Sequence, residues 1–190
     1  PRKQNIFRFF IGDVRDLARL KTAMENVDAV IHAAALKQVP TAEYNPFEAV
    51  KTNIMGAQNV IDAAFLLIKK AQELIDMSKH SGEHPRMGAT DVCPLVPIAN
   101  ITMEECAKWA HKLGERVGNE LGIPVYHYEA AAKEEKRKNL ANCRQGEYEG
   151  LSKKLVDPSW KPDFGPDEFN KSVKKSGATA ISARDFLVAY

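Results

Sequence analysis

The densest group of side chains that could do chemistry lies at residues 80–88, where the sequence reads His-Ser-Gly-Glu-His-Pro-Arg-Met-Gly. Two imidazoles, a carboxylate and a guanidinium fall within seven residues. Because histidine changes protonation near neutral pH, His84 could act as a general base, with Glu83 or a backbone carbonyl orienting its ring. A second interpretation is a surface loop whose histidines are solvated.

A third interpretation is a zinc site, because His80, Glu83 and His84 follow the His-x-x-Glu-His spacing of some zinc peptidases. That chemistry requires both histidines on one face of a helix. Gly82 weakens such a helix, and Pro85 disfavours the helical conformation at His84. We therefore expect no metal site.

The elements that must position this cluster are helices and short strands. Apolar spacing predicts a long amphipathic helix over 53–78, followed by a loop. Residues 92–98 contain two prolines, which indicate an edge strand at best. Thr102 and Glu105 form a capping box that begins the next helix, and Gly122 ends it.

The remaining C-terminal segments alternate in the same way. Residues 123–128 read as a strand, and 133–144 as a charged, solvated helix. Residues 160–170 contain two prolines and are expected to be loop. Two apolar stretches follow, of which the first covers 178–183.

The N-terminal third has a strand–helix–strand pattern over 6–11, 16–26 and 27–32, which is typical of a parallel sheet in an α/β fold. Gly12-Asp13 follows the first strand, and three alanines at 33–35 follow the second. Small residues and a carboxylate after strands suit a bound nucleotide, although ordinary turns would look the same.

Composition excludes several classes of function. The chain has 190 residues and a net charge of +2, which is too weak to indicate a nucleic-acid or membrane-surface partner. Its longest apolar runs are too short to span a bilayer. Three widely spaced cysteines predict free thiols in a cytoplasmic protein.

Three stretches carry a first resemblance: Arg-Phe-Phe-Ile-Gly-Asp-Val-Arg-Asp at 8–16, Val-Ile-His-Ala-Ala-Ala-Leu-Lys-Gln-Val-Pro at 30–40, and residues 43–60. Through them, residues 6–62 resemble a fragment of the nucleotide-sugar 4,6-dehydratases of the extended short-chain dehydrogenase family. The resemblance implies an NADP site lined by Asp13, Val14, Ala33, Ala34, Ala35 and Lys37. The sequence shows neither the family's Gly-rich phosphate loop nor its Tyr-x-x-x-Lys pair, so we expect no dehydratase chemistry.

A second resemblance rests on residues 73–94, which include the histidine cluster, and on Gly-Glu-Tyr-Glu at 146–149. Trp-Lys-Pro-Asp-Phe-Gly-Pro at 160–166 and the stretch 177–190 complete it. Residues 63–190 thereby resemble the N-terminal subdomain of glutamate formimidoyltransferase, a folate-dependent enzyme of histidine breakdown that is often fused to a cyclodeaminase. This implies an α/β fold with helices packed on a mixed sheet.

The second resemblance also implies a reaction, the transfer of a formimino group from N-formimino-L-glutamate to N5 of tetrahydrofolate. His84 would be the catalytic base, and Arg86 could hold a substrate carboxylate. The parent transferases associate as dimers, so the resemblance offers a homodimer as one assembly, whereas the sequence itself does not give the oligomeric state. The folate loop would comprise Gly165, Pro166, Asp167, Glu168, Phe169, Ser176 and Gly177.

Together the two resemblances predict a chimera, with a partial Rossmann-like segment at 1–62 and a transferase-like domain at 63–190. The parent transferase uses an earlier segment and a second subdomain that this sequence does not show. We therefore expect an incomplete active site that binds folate and turns over poorly. An NADP-binding remnant and an inert fusion product are the alternatives.

Overall fold

The computed structural model of the chain divides it into two compact units, Pro1–Ala64 and Phe65–Tyr190. None of the helices in the described part has both the length and the apolar character that a membrane span requires. The structure describes residues 12–25, 27, 55–82, 84–97 and 101–186.

In the first unit, helix α1 spans Leu17–Met24. The side chain of Asp16 caps it by accepting a hydrogen bond from the backbone N–H three residues further on, at 3.0 Å. This confirms the helix predicted here. The strands predicted at 6–11 and 27–32 lie outside the described residues except for Val27, so the partial Rossmann-like fragment stays a prediction.

Helix α2 spans Gly56–Leu74 and ends before residue 78, where the predicted helix ends. The predicted helix extends past the observed end because Asp76 caps a separate turn while the apolar pattern continues. The carboxylate of Asp76 accepts a hydrogen bond from the backbone N–H of Ser78 at 3.1 Å. It thereby begins a separate 3₁₀ turn, Met77–Lys79.

The second unit contains a sheet of three described strands, β1 (Val92–Leu95), β2 (Val125–Glu129) and β3 (Thr179–Ala183). They lie in the order β1-β3-β2, and both pairings are parallel. The expected mixed sheet is therefore not observed among the described strands. Long connections that contain helices join the strands, and such connections return the chain in the same direction.

Helix α3 (Met103–Leu121) packs against one face of this sheet. The predicted capping box is confirmed, because Thr102 and Glu105 exchange side-chain-to-backbone hydrogen bonds at 3.1 and 2.8 Å. Gly122 adopts the left-handed conformation, with φ of 63°, and ends the helix as predicted.

Two glycines of α3 allow it to approach the sheet closely. A Cβ on Gly114 would lie 2.6 Å from the ring of His127, and one on Gly118 would lie 2.5 Å from Phe164. The His127 ring is fully buried, and its Nδ1 lies 2.9 Å from the carbonyl oxygen of Ile181. Burial lowers the pKa of His127 to about 4, so the ring is neutral at pH 7 and Nδ1 donates this hydrogen bond.

Three further helices, α4 (Leu140–Arg144), α5 (Glu147–Leu155) and α6 (Lys171–Ser176), complete the second unit. They contribute to an apolar core together with β2 and β3. None of the three cysteines forms a disulfide. The fully or nearly fully buried members of this core are Met87, Tyr126, Tyr128, Cys143, Leu151, Leu155, Val173, Ala178 and Ala180.

The prediction of a solvated helix over 133–144 is wrong. The segment instead contains a 3₁₀ turn, Glu135–Arg137, followed by the short helix α4. The guanidinium of Arg137 is only 3% exposed and pairs with the buried carboxylate of Asp163 at 2.8 Å. That partner lies 26 residues further along the chain, so no local pattern could reveal it.

Candidate functional site

The candidate site lies where the three strands begin. Residues 80–88 lead into β1, Gly177 precedes β3, and Gly165 approaches the backbone just before β2. Because the strands are parallel, their N-terminal ends lie at one edge of the sheet. The structure therefore places the predicted catalytic and folate-binding segments at the same edge.

A close backbone contact joins the predicted catalytic segment to the end of the predicted folate loop. Gly88 and Gly177 form an antiparallel bridge, and Ala178 donates a backbone hydrogen bond to the carbonyl of Met87 at 3.0 Å. A Cβ on Gly177 would lie 2.2 Å from that same carbonyl oxygen. Gly177 also has φ of 69° and ψ of −155°, a conformation that only glycine adopts readily.

His84 lies on an exposed, non-helical stretch of the chain. Among the described residues, none is hydrogen-bonded to its imidazole, and Glu83, its predicted orienting partner, lies outside them. His80 is also exposed and non-helical, so the two histidines do not share the helical face that the zinc interpretation requires. The described part of the chain contains no group of three side chains suited to a metal ion.

Arg86 follows His84 by two residues, and its side chain is only 12% exposed. Its guanidinium makes a two-pronged pair with Glu149, at 3.0 and 2.8 Å. It also lies 3.4 Å from a carboxylate oxygen of Glu147 and donates to the carbonyl of His80 at 3.1 Å. The hydrogen bonds with Glu149 raise the pKa of Arg86, and those with Arg86 lower the pKa of Glu149.

The first turn of α5 connects several parts of the site. The backbone N–H of Tyr148 donates to the carbonyl of Arg86 at 2.8 Å, and its hydroxyl donates to the carbonyl of Lys174 at 2.5 Å. The rings of Tyr148 and Phe169 lie 6.1 Å apart, tilted by 56°. Tyr148 therefore links the histidine segment to the predicted folate loop.

Gly165 is held by the segment that precedes it. Asp163 accepts hydrogen bonds from Arg137 and from the backbone N–H of His127, each at 2.8 Å. A Cβ on Gly165 would lie 2.3 Å from the carbonyl oxygen of Ile123, and its φ is 83°. The start of the predicted folate loop thus has a fixed backbone position.

The other predicted folate residues differ in exposure. Asp167 and Glu168 are exposed, and Asp167 pairs with Lys161 at 3.0 Å, whereas Pro166 and Phe169 are half-buried. Ser176 is buried, and its hydroxyl donates to the carbonyl of Gly177 at 3.0 Å. The lysine-rich part of the loop forms α6, which Asn170 caps at 3.0 Å.

Of the residues predicted to line an NADP site, Asp13 and Val14 are described. The carboxylate of Asp13 makes a two-pronged pair with Arg15, whose hydrogen bonds lower the pKa of Asp13 to about 2. The carbonyl of Val14 accepts a hydrogen bond from Asn59 at 2.8 Å. The three alanines at 33–35 and Lys37 lie outside the described residues.

The sequence alone does not predict the pairs that three charged residues of the site form. Asp163 and Arg137 form the pair that anchors Gly165, and Glu149 holds Arg86. Each partner lies at least 26 residues away, so spacing carries no signal for these pairs. The two acidic residues in the first turn of α5 only weakly indicate a partner for Arg86, because carboxylates are favoured at the N-terminus of any helix.

A match to a protein family shows which family the chain belongs to. Residues 10–184 match the family described as "Formiminotransferase domain, N-terminal subdomain". The chain belongs to this family. The α/β arrangement with helices on a small sheet agrees with that membership.

Named relatives support the same assignment. A formimidoyltransferase-cyclodeaminase of Gallus gallus is 53% identical over 141 residues, which are 74% of this chain and 26% of that protein. A glutamate formimidoyltransferase of Thermoplasma acidophilum is 44% identical over 187 residues, which are 96% of this chain and 58% of that protein. The chain therefore spans between a quarter and three fifths of these relatives.

A UDP-N-acetylglucosamine 4,6-dehydratase (inverting) of Campylobacter jejuni is 70% identical over 61 residues, which are 32% of this chain and 18% of that protein. Both resemblances stated from the sequence are thus confirmed. The family match covers residues 10–184 and so includes part of the stretch that carries the first resemblance. The two matches overlap, since only residues 1–9 and 185–190 lie outside the family match.

Proposed function

We propose that the second unit binds tetrahydrofolate and takes part in transferring a formimino group from N-formimino-L-glutamate to N5 of that folate. The observation that carries the proposal is the Gly88–Gly177 bridge. It brings the histidine segment to the end of the predicted folate loop, at one edge of the sheet. Family membership supplies the class of reaction.

In this proposal His84 acts as the base. N5 attacks the formimino carbon, and a new carbon–nitrogen bond forms as His84 takes the N5 proton. The bond from that carbon to the glutamate nitrogen then breaks, and His84 returns the proton to the departing nitrogen. The exposure of His84 and its non-helical backbone leave its ring accessible to both substrates.

The folate would lie along the exposed residues Gly165, Asp167 and Glu168, whose peptide groups suit the polar edge of a pterin. Phe169 offers a half-buried ring beside Tyr148, which suits the aromatic part of the ligand. The anchoring of Gly165 by Asp163 supports this placement, because a fixed backbone loses little entropy when it binds.

Titration calorimetry with folinate, a stable folate, tests the proposal. We expect saturable one-to-one binding of folinate by the full chain and by His84→Ala. Transfer is assayed separately with formiminoglutamate and tetrahydrofolate, because N5 of folinate already carries a formyl group. Transfer should be lost only in the variant, because a base acts on the reaction more than on folate affinity. His80→Ala is the matched control, since it removes a neighbouring exposed imidazole. A folded chain that binds NADPH and shows no heat with folinate would contradict the proposal.

A further inference from the structure

Arg86 has carboxylate partners within its own chain. Its two terminal nitrogens lie 3.0 and 2.8 Å from the two carboxylate oxygens of Glu149, the fork geometry that arginine makes with a carboxylate. A substrate carboxylate could take this place only by displacing Glu149. Arg86 could therefore bind substrate, as expected from the sequence, only if its pair with Glu149 were broken.

The guanidinium of Arg86 also contacts the other end of the loop that carries His84. One terminal nitrogen donates to the carbonyl of His80 at 3.1 Å, so both ends of the stretch 80–86 meet at one side chain. The backbone of Arg86 is held as well, because its carbonyl accepts the N–H of Tyr148 at 2.8 Å. Among the described residues, none is hydrogen-bonded to the His84 ring, and the contacts that the structure describes here act on the backbone of the loop.

We propose that Arg86 and Glu149 are positioning residues that fix the place of His84, and that they do not bind substrate. This inference rests on the proposed function of His84. The pair joins the loop to the first turn of α5, which packs into the core through Leu151. The pair thereby relates the position of His84 to the sheet edge through the backbone of the loop.

Kinetics of Glu149→Gln separate positioning from substrate binding. A glutamine keeps the shape and loses the charge-assisted fork, so a positioning role predicts a fall in kcat of about 10–100-fold with little change in KM, as expected for a misplaced catalytic group. A substrate-binding role predicts the opposite, a lower KM for formiminoglutamate, because Arg86 would be released from its competitor. That second result would overturn the proposal.

Two further variants test whether the loss comes from the Arg86–Glu149 pair. Arg86→Lys keeps a cation that could meet a substrate carboxylate but cannot form the fork, so positioning predicts a kcat loss like that of Glu149→Gln. Glu120→Gln is the matched control, because it removes the exposed carboxylate that pairs with Arg116 at 2.9 Å on α3. We expect Glu120→Gln to leave kcat unchanged, and an equal loss in this control would contradict the proposal.

A measurement that needs no turnover distinguishes this inference from the proposed function. Amide hydrogen exchange over 80–86 should accelerate in Glu149→Gln and not in Glu120→Gln. Unchanged exchange over 80–86 overturns the positioning role whether or not the chain is active. Absence of transfer by the unsubstituted chain contradicts the proposed function, whereas transfer with normal kcat in Glu149→Gln contradicts the positioning role alone.

Discussion

Replacing Gly177 with alanine should destabilise the second unit by about 2–6 kcal/mol. The backbone conformation of Gly177 costs a residue with a side chain about 1–3 kcal/mol. The added Cβ would lie 2.2 Å from the carbonyl oxygen of Met87 and 2.4 Å from Cα of Gly88. Forcing such backbone atoms apart adds about 1–3 kcal/mol, the usual range for overpacking.

Gly122→Ala provides the matched control. Gly122 also has a positive φ, of 63°, but a Cβ there would meet no atom within 4 Å. Its cost is therefore the left-handed conformation alone, about 1–2 kcal/mol. The two variants share the same gain from a stiffer unfolded chain, which cancels in the difference. We expect Gly177→Ala to cost about 1–4 kcal/mol more than Gly122→Ala.

Urea unfolding followed by tryptophan fluorescence measures this difference. Both tryptophans, Trp109 and Trp160, lie in the second unit, so the signal reports that unit. The free energy of unfolding should fall with an unchanged dependence on urea, because the surface exposed on unfolding stays the same. If Gly177→Ala is no less stable than Gly122→Ala, the close contact between the histidine segment and the predicted folate loop is refuted.

Three more outcomes follow from buried or capping groups. Asp163→Asn should cost about 3–5 kcal/mol in the same urea assay, because it leaves the guanidinium of Arg137 buried beside a neutral group. Thr102→Ala should cost about 1 kcal/mol, measured by thermal unfolding, because α3 loses its capping hydrogen bond. Lys154→Met should remove a rise in stability between pH 8 and 10.5, measured by urea unfolding at each pH. Burial lowers the pKa of Lys154 from 10.5 to about 8, so in this window the native state loses its proton first and gains up to about 1.4 kcal/mol per pH unit.

Each of these outcomes has a control. Asp167→Asn removes an exposed carboxylate that pairs with Lys161, and its stability should hardly change. Thr102→Ser keeps the capping hydroxyl and should retain stability. For Lys154, the reasoning fails if the methionine variant shows the same dependence on pH between 8 and 10.5 as the unsubstituted chain. For Asp163, an unchanged midpoint would show that Arg137 is not buried as described.

Features that depend on neighbouring residues agree with the prediction from the sequence. The capping box at Thr102 and the glycine at the end of α3 each involve residues within one helix, so their spacing determines the outcome. The edge position of β1 followed from a proline in the strand, because proline cannot donate to a neighbour. The histidine cluster was also recognisable, because its residue types lie together in the chain.

Features that depend on a partner far along the chain differ from the prediction. Residues 133–144 looked solvated because they are highly charged, yet Arg137 is buried against Asp163. Arg86 looked free to bind a substrate carboxylate because Glu149 lies 63 residues away. The end of α2 was placed too late because the cap at Asp76 competes with an apolar pattern that continues past it. In each case a long-range or competing polar contact overrides local periodicity.

The strand order has a consequence for how the protein is made. β3 is the last described strand to leave the ribosome, yet it lies between the other two and is buried along its whole length. Until residues 179–183 emerge, β1 and β2 have no described strand to pair with, and both expose open edges. A nascent chain halted anywhere before Thr179 would therefore be prone to aggregation, because assembly of the sheet has to wait until residues 179–183 have been synthesised.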